Sequence, residues 1–177
     1  PDPPGNLARA MKNELIRQFI HIGRRSEPMY WDDEIALCPR EFYGYSKHIR
    51  CECSLIFNIV RRSDTQIAGE IALRIGDSPE QFYLGHIGYH IDPPYRGHAF
   101  AARACRLCKP LLVALGQTDV VITTDTTNLP SIKTCERLAC ELECTVPVPI
   151  AMQQKLEISD RKHRFIWTLH PGGAGIA

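Results

Sequence analysis

The sequence of 177 residues predicts an α/β (α+β) domain, a strand meander followed by alternating helices and strands. Three observations carry this. Residues 51–91 hold alternating apolar runs broken by turn residues. The stretch 85–104 (GHIGYHIDPPYRGHAFAARA) passes from period two to a helical period across a pair of prolines. Asp119–Thr124 (DVVITT) then runs into Asn128-Leu129-Pro130, a strand entering a capped helix.

Taken in order, residues 7–22 place Leu7, Met11, Leu15, Phe19 and Ile22 at helical steps, with Gly23 as C-cap. Residues 27–37 (EPMYWDDEIAL) predict a second helix ending before Pro39, and 40–47 a loop. Cys51–Arg61 and Gln66–Ile75 alternate on either side of Ser63-Asp64-Thr65, which predicts an antiparallel hairpin. Gly76-Asp77-Ser78-Pro79 is a turn, and Phe82–Ile91 predicts the third strand, stopped by Pro93 and Pro94. Phe100, Ala104, Leu107, Leu111 and Leu115 mark the central helix, which Pro110 should kink or end. After the second strand–helix pair come one more strand, a turn over Lys155–Arg161, and a last strand at His163–Leu169. The whole chain, 1–177, reads as one domain with flexible ends at 1–6 and 172–177.

Composition narrows the function. Hydrophobic residues make 44% and charged residues 23% of a chain of net charge +1, which predicts no nucleic-acid footprint. No run approaches the ~20 apolar residues of a membrane span, and the start Pro-Asp-Pro-Pro-Gly lacks the regions of a signal peptide. Eight cysteines lack the paired spacing of a zinc site, so no metal is expected. They read as small buried hydrophobes of a reducing, cytoplasmic compartment. A homodimer is compatible with all of this.

The turn between strand and central helix is the candidate site. A helix N-terminus offers unpaired N–H groups and the positive end of its dipole, and small residues let an anion come close. It should hold a phosphate. Neither a Walker-type loop nor a three-glycine dinucleotide fingerprint is present, since Gly97 stands alone in the turn.

Arg96-Gly97-His98-Ala99-Phe100-Ala101, after a strand and a proline, resembles the acetyl-CoA motif of the GNAT acetyltransferase superfamily, Arg/Gln-x-x-Gly-x-Gly/Ala. Ala99 departs from it where the family usually carries glycine. Asn128 with Ser131, and Glu136-Arg137-Leu138, resemble the family's second motif in the right order and spacing. The resemblance implies a mixed, mostly antiparallel central sheet flanked by helices, with strands splayed around the acetyl-CoA motif. It implies acetyl-CoA as co-substrate and acetyl transfer to a primary amine of a small molecule or a protein. Tyr89, His90 and Ile91 would meet the pantetheine through their backbone, and Gly97 to Ala101 with Arg96 the pyrophosphate. Asn128 and Ser131 would meet the pantetheine or assist a base.

The family's thiolate acid is a tyrosine where this chain has Cys135. Cys135 is therefore a candidate acid as well as a core residue. His86 is the preferred general base and Glu70 the second, since histidine titrates in the useful range and burial can raise a carboxylate. His98 lies in the turn, facing phosphate or solvent. For the acceptor, Trp31, Asp33 and Tyr43 belong to an aromatic and acidic run suited to a cationic amine. Two other readings stand beside the enzyme: a non-catalytic acyl-CoA-binding module, and an unrelated nucleotide-binding domain using the same turn.

Overall fold

The computed structural model describes residues 4–169. The expectation of flexible ends at 1–3 and 172–177 falls outside them, whereas residues 4–6 open the first helix. That helix, α1 (Pro4–Arg24), precedes a hairpin of β1 (Tyr30–Trp31) and β2 (Ile35–Tyr43). β3 (Cys53–Arg61), β4 (Ile67–Ile75), α2 (Pro79–Leu84) and β5 (Ile87–Ile91) follow. The second half contains α3 (Phe100–Ala114), β6 (Asp119–Asp125), α4 (Leu129–Arg137), β7 (Glu141–Pro147), α5 (Ile150–Leu156) and β8 (Arg161–Thr168).

Two antiparallel sheets result, ordered β1-β2-β3-β4-β5 and β6-β8-β7. Register sorts the first sheet into two faces. Leu55, Leu73 and Ile87 align across it, as do Phe57, Ile71 and Tyr89. This face packs on α1 and α3, and Phe19 of α1 meets Phe57 edge-on with ring centroids 5.0 Å apart. The opposite face carries Ser54, Ile56, Glu70, Ala72, Arg74, Gly88 and His90, all half-buried or exposed. Alternation alone separates these two sets.

The strand over 35–43 corrects the helix expected at 27–37. Asp32 Oδ1 accepts from the N–H groups of Glu34 (2.8 Å) and Ile35 (2.9 Å), an Asx turn that reverses the chain. Beyond it Ile35, Ala36 and Leu37 are all buried, so tertiary burial outweighs helical propensity. Pro39 sits at a register shift opposite Phe57, where a missing amide is tolerated.

The third expected strand is shortened by α2. Ser78 caps this helix, its hydroxyl accepting from Gln81 N at 3.1 Å, with Pro79 in the first turn. Ser-Pro-Glu-Gln is a helix-start signal that was legible in the sequence. Pro110 does not end α3, which continues to Ala114. Short α5 falls partly on the expected turn at 155–161. All eight cysteines are free, and Cys51, Cys53, Cys105, Cys108 and Cys135 are buried as small apolar side chains.

Candidate functional site

β5 and β6 touch at one end only. His86 N–H donates to Val121 O at 2.7 Å, and Val121 N–H donates to His86 Nδ1 at 3.0 Å. No ladder continues from there, and the strands belong to different sheets. With Nδ1 accepting, Nε2 carries the hydrogen and donates to Gly76 O at 3.2 Å. Burial pushes the imidazole's pKa below its ordinary value, so the ring is a neutral spacer. The expectation of His86 as general base is corrected: both ring nitrogens are engaged in holding the strands. Gly85 makes the close approach feasible. Its φ is +72°, and a Cβ there would stand 2.7 Å from Val121 O.

Beyond that contact the strands splay, and two cavities open between them. The larger, about 760 Å³, is lined by Tyr89, His90 and Ile91 of β5, by Tyr95 to Gly97 and Ala99 to Ala101, and by α4 from Asn128 to Arg137. The smaller, about 170 Å³, runs among Arg74, Tyr83, Gly88, Ile122 to Asp125 and Lys162. Tyr89, Asn128 and Ser131 line both. They form the joint between the two spaces.

The larger cavity gathers backbone donors and positive charge. Pro93–Tyr95 forms a short 3-10 turn, and α3 starts at Phe100. The N–H groups of Gly97, His98 and Ala99 have no backbone partner among the described residues. With the free N–H groups of the first helical turn they make a continuous donor row. Arg96 is tied by its Nε to Ile91 O at 2.9 Å. Lys133 and Arg137 add positive charge from α4; sequence reading missed them because only their place on the inward side of that helix gives them meaning.

Ala99 adopts φ +58°, the left-handed region, as N-cap of α3 with no side-chain cap bond. Glycine enters this region without the alanine penalty, so Ala99→Gly should stabilise the chain by about 1 kcal/mol. Denaturant melts check this; an unchanged midpoint would mean that the backbone there is not held left-handed. The His98 side chain does not line this cavity. It stacks on Phe100, centroids 5.4 Å apart, and faces a separate hollow with Asp33 and Arg61.

At the joint, the Tyr89 hydroxyl lies 2.8 Å from Ser131 Oγ and 3.4 Å from Ser131 O. Burial, and then the neighbouring Cys135 thiol, raise the phenol's pKa well above its ordinary value, so it stays protonated. Asn128 Oδ1 accepts from Ser131 N–H at 3.2 Å and caps α4. Sequence reading assigned Tyr89 through its backbone alone. Its side chain reaches Ser131 at the start of α4, a contact 42 residues distant that only the folded chain reveals.

Cys135 is fully buried and lines neither cavity. Its hydrogen bond with Cys140, then burial, push its thiol pKa up, which corrects the expectation of an acid there. Glu70 also stands apart, on the open face, paired with Arg40 at 2.8 Å. Asp33 pairs with Arg103 of α3 at 2.8 Å, beside Asp32 and Glu34 on the same guanidinium. Trp31 is exposed on β1, and Tyr43 bonds to Glu41 at the end of β2. The three expected acceptor residues therefore lie away from the joint: Trp31 and Asp33 belong to a hairpin docked on α3, and Tyr43, expected in a loop over 40–47, ends β2 instead. Among the described residues no cluster suited to a metal ion occurs, and no helix is long and apolar enough to cross a membrane.

A family model described as an acetyltransferase (GNAT) domain matches residues 9–141. No curated protein matches significantly. Among solved structures, the chain is similar to the microcin C7 self-immunity acetyltransferase MccE in complex with acetyl-CoA and AMP. Identity is 21%, the TM-score is 0.51, and the match covers 65% of this chain and 61% of that one. It is similar to a ribosomal-protein-S5-alanine acetyltransferase from Vibrio fischeri at 17% identity and TM-score 0.52, covering 67% and 64%. A probable acetyltransferase of the GNAT family from Chromobacterium violaceum gives 12% identity and TM-score 0.56, covering 79% and 85%. The chain spans less than two thirds of the length of MccE and of the Vibrio fischeri enzyme. At such identities the likeness shows the fold alone.

Proposed function

Because the chain belongs to the GNAT acetyltransferase domain family, we propose that it transfers an acetyl group from acetyl-CoA to a primary amine. One observation carries this: an anion-receiving cavity and a second cavity meet at Tyr89, Asn128 and Ser131. That arrangement brings a donor and an acceptor in from opposite sides of the splayed strands, in one ternary complex.

When bound, acetyl-CoA supplies a thioester carbonyl and a thiolate leaving group. The N–H groups of Gly97 to Ala101, with Arg96, Lys133 and Arg137, would hold its phosphates. The open edge of β5 at Tyr89 to Ile91 would align the pantetheine. The Tyr89 phenol, kept protonated by burial, would offer a hydrogen bond to the leaving thiolate. Ser131 orients that hydroxyl at 2.8 Å, and Asn128 fixes Ser131 through its cap bond. None of these three is a base at neutral pH, so the acceptor amine would enter in its neutral form, and the proton it loses as the amide forms would pass through solvent to the leaving thiolate.

We read the chain as a single catalytic domain. Its eight free thiols fit a reducing compartment, and we place it in the cytoplasm.

Calorimetric titration with acetyl-CoA, CoA, ATP and NAD tests the site, alongside thiol release with a panel of amines. Acetyl-CoA and CoA are expected to bind selectively. Binding should fall at least tenfold in Gly97→Pro, because proline cannot adopt φ +88° and removes a donor N–H. CoA binding without thiol release from any amine would favour a non-catalytic acyl-CoA-binding module. Equal binding of ATP or NAD would overturn the reading.

A further inference from the structure

Three buried side-chain polar atoms lack a hydrogen-bond partner among the described residues: Arg74 Nη1, Gln81 Oε1 and Thr124 Oγ1. Two of these residues, Arg74 and Thr124, belong to the wall of the smaller cavity. An unpaired guanidinium is costly to bury, and a buried hydroxyl without a partner adds to that cost. The other charges on the lining cancel, since Lys162 is bonded to Asp125. Arg74 is left as the one unpaired charge among the lining residues.

The sequence makes room for that charge. Arg74 N–H donates to His86 O at 2.7 Å, which fixes β4 beside the point where the strands separate. The side chain then runs along the sheet face away from α3 and lies over Gly88. A Cβ at Gly88 would stand 2.9 Å from Nη2 and 3.1 Å from Nη1. A side chain at position 88 would therefore displace the guanidinium.

We propose that this cavity recognises a carboxylate carried by the acceptor, with Arg74 as its counter-ion and the Thr124 hydroxyl as a second donor. The acceptor class is then an amine bearing a carboxylate, as in an amino acid, rather than a simple or cationic amine. A carboxylate suits one guanidinium with its paired donors, whereas a phosphate dianion would call on a second free cation. The inference rests on the acetyl-transfer reading for its account of the amine, but the anion subsite stands on its own observations.

The test uses N-acetylglycine, which carries the carboxylate, and N-acetylglycinamide, which lacks it, in calorimetric titrations of the full chain. The acid is expected to bind about tenfold or more tightly than the amide. That preference should vanish in Arg74→Gln and shrink in Gly88→Ala, with acetyl-CoA affinity unchanged in both. Should Arg74→Gln fail to fold, Gly88→Ala carries the same comparison, because it meets only the movable end of the arginine. Equal binding of acid and amide, or a preference that survives both substitutions, would overturn the subsite. Selective binding of the acid without binding of acetyl-CoA would uphold the subsite and sink the acetyl-transfer reading instead.

Discussion

Gly85→Ala is expected to destabilise the protein by about 3 kcal/mol, among the largest losses from adding a single methyl group. Two costs combine. With φ +72° and ψ 174° Gly85 sits in a backbone region essentially confined to glycine, which costs any other residue roughly 1–3 kcal/mol. The added Cβ would also stand 2.7 Å from Val121 O and 3.1 Å from Thr123 N. Both atoms are backbone of β6, so neither can swing aside. Relief requires β6 to move away, and that breaks the two bonds between His86 and Val121 that close the splay. A drop in melting temperature of about 10 °C should follow for a domain of this size, with weaker binding in both cavities. Gly97→Ala is the control. It shares a positive φ, but nothing lies within 4 Å of its Cβ, so about 1 kcal/mol of backbone cost is expected alone. Equal effects of the two substitutions would show that the strand contact is not what Gly85 serves.

Acid is expected to weaken the fold through Glu80. Its side chain, on α2, is 2% exposed and accepts from Arg50 Nε at 2.8 Å and Lys155 Nζ at 2.7 Å. It is covered by these two cations rather than set in apolar core. Their hydrogen bonds, that of Lys155 first, lower the carboxyl pKa from 4.5 to about 2. A depressed folded-state pKa stabilises where the unfolded carboxyl is already ionised. The contribution is therefore full above about pH 4.5 and fades as pH falls toward 2. Both cations are partly exposed, so solvent screening reduces its size to about 2 kcal/mol. Urea unfolding of wild type and Glu80→Gln checks this at pH 7, 4 and 2.5. The gap of about 2 kcal/mol at pH 7 should close toward zero at the lowest pH. A gap independent of pH would mean that Glu80 acts through packing and not through its charge. The Lys155 pair joins α2 to α5, so local opening of α5 should follow the same pH course.

Much of the architecture was legible in the residues because it is locally encoded. The period of α1, the alternation of β3 and β4, and the caps at Asn128 and Gly97–Phe100 each express themselves within a turn or two of their own sequence. The turn into the central helix was readable for the same reason. Its amides are freed by a helix start, and a helix start is a local event. Residues 27–37 were not readable in this way. Their composition suits a helix, yet Asp32 turns the chain and Ile35 to Leu37 are wanted by a core assembled from distant strands.

Side-chain roles depended still more on partners remote in sequence. Alternation put His86 on a strand, but a bond to Val121, 35 residues away, made it a spacer and not a base. Ser131, 42 residues from Tyr89, turned a backbone contact into a hydroxyl at the joint. Arg74 gained its place only when β5 brought Gly88 beneath its guanidinium. The sequence by itself determined α1, the β3–β4 hairpin, the central helix and the glycine turn before it, whose physics is complete within a few residues. Only the tertiary structure decided which charges are left without partners, because pairing depends on neighbours the chain brings together when it folds.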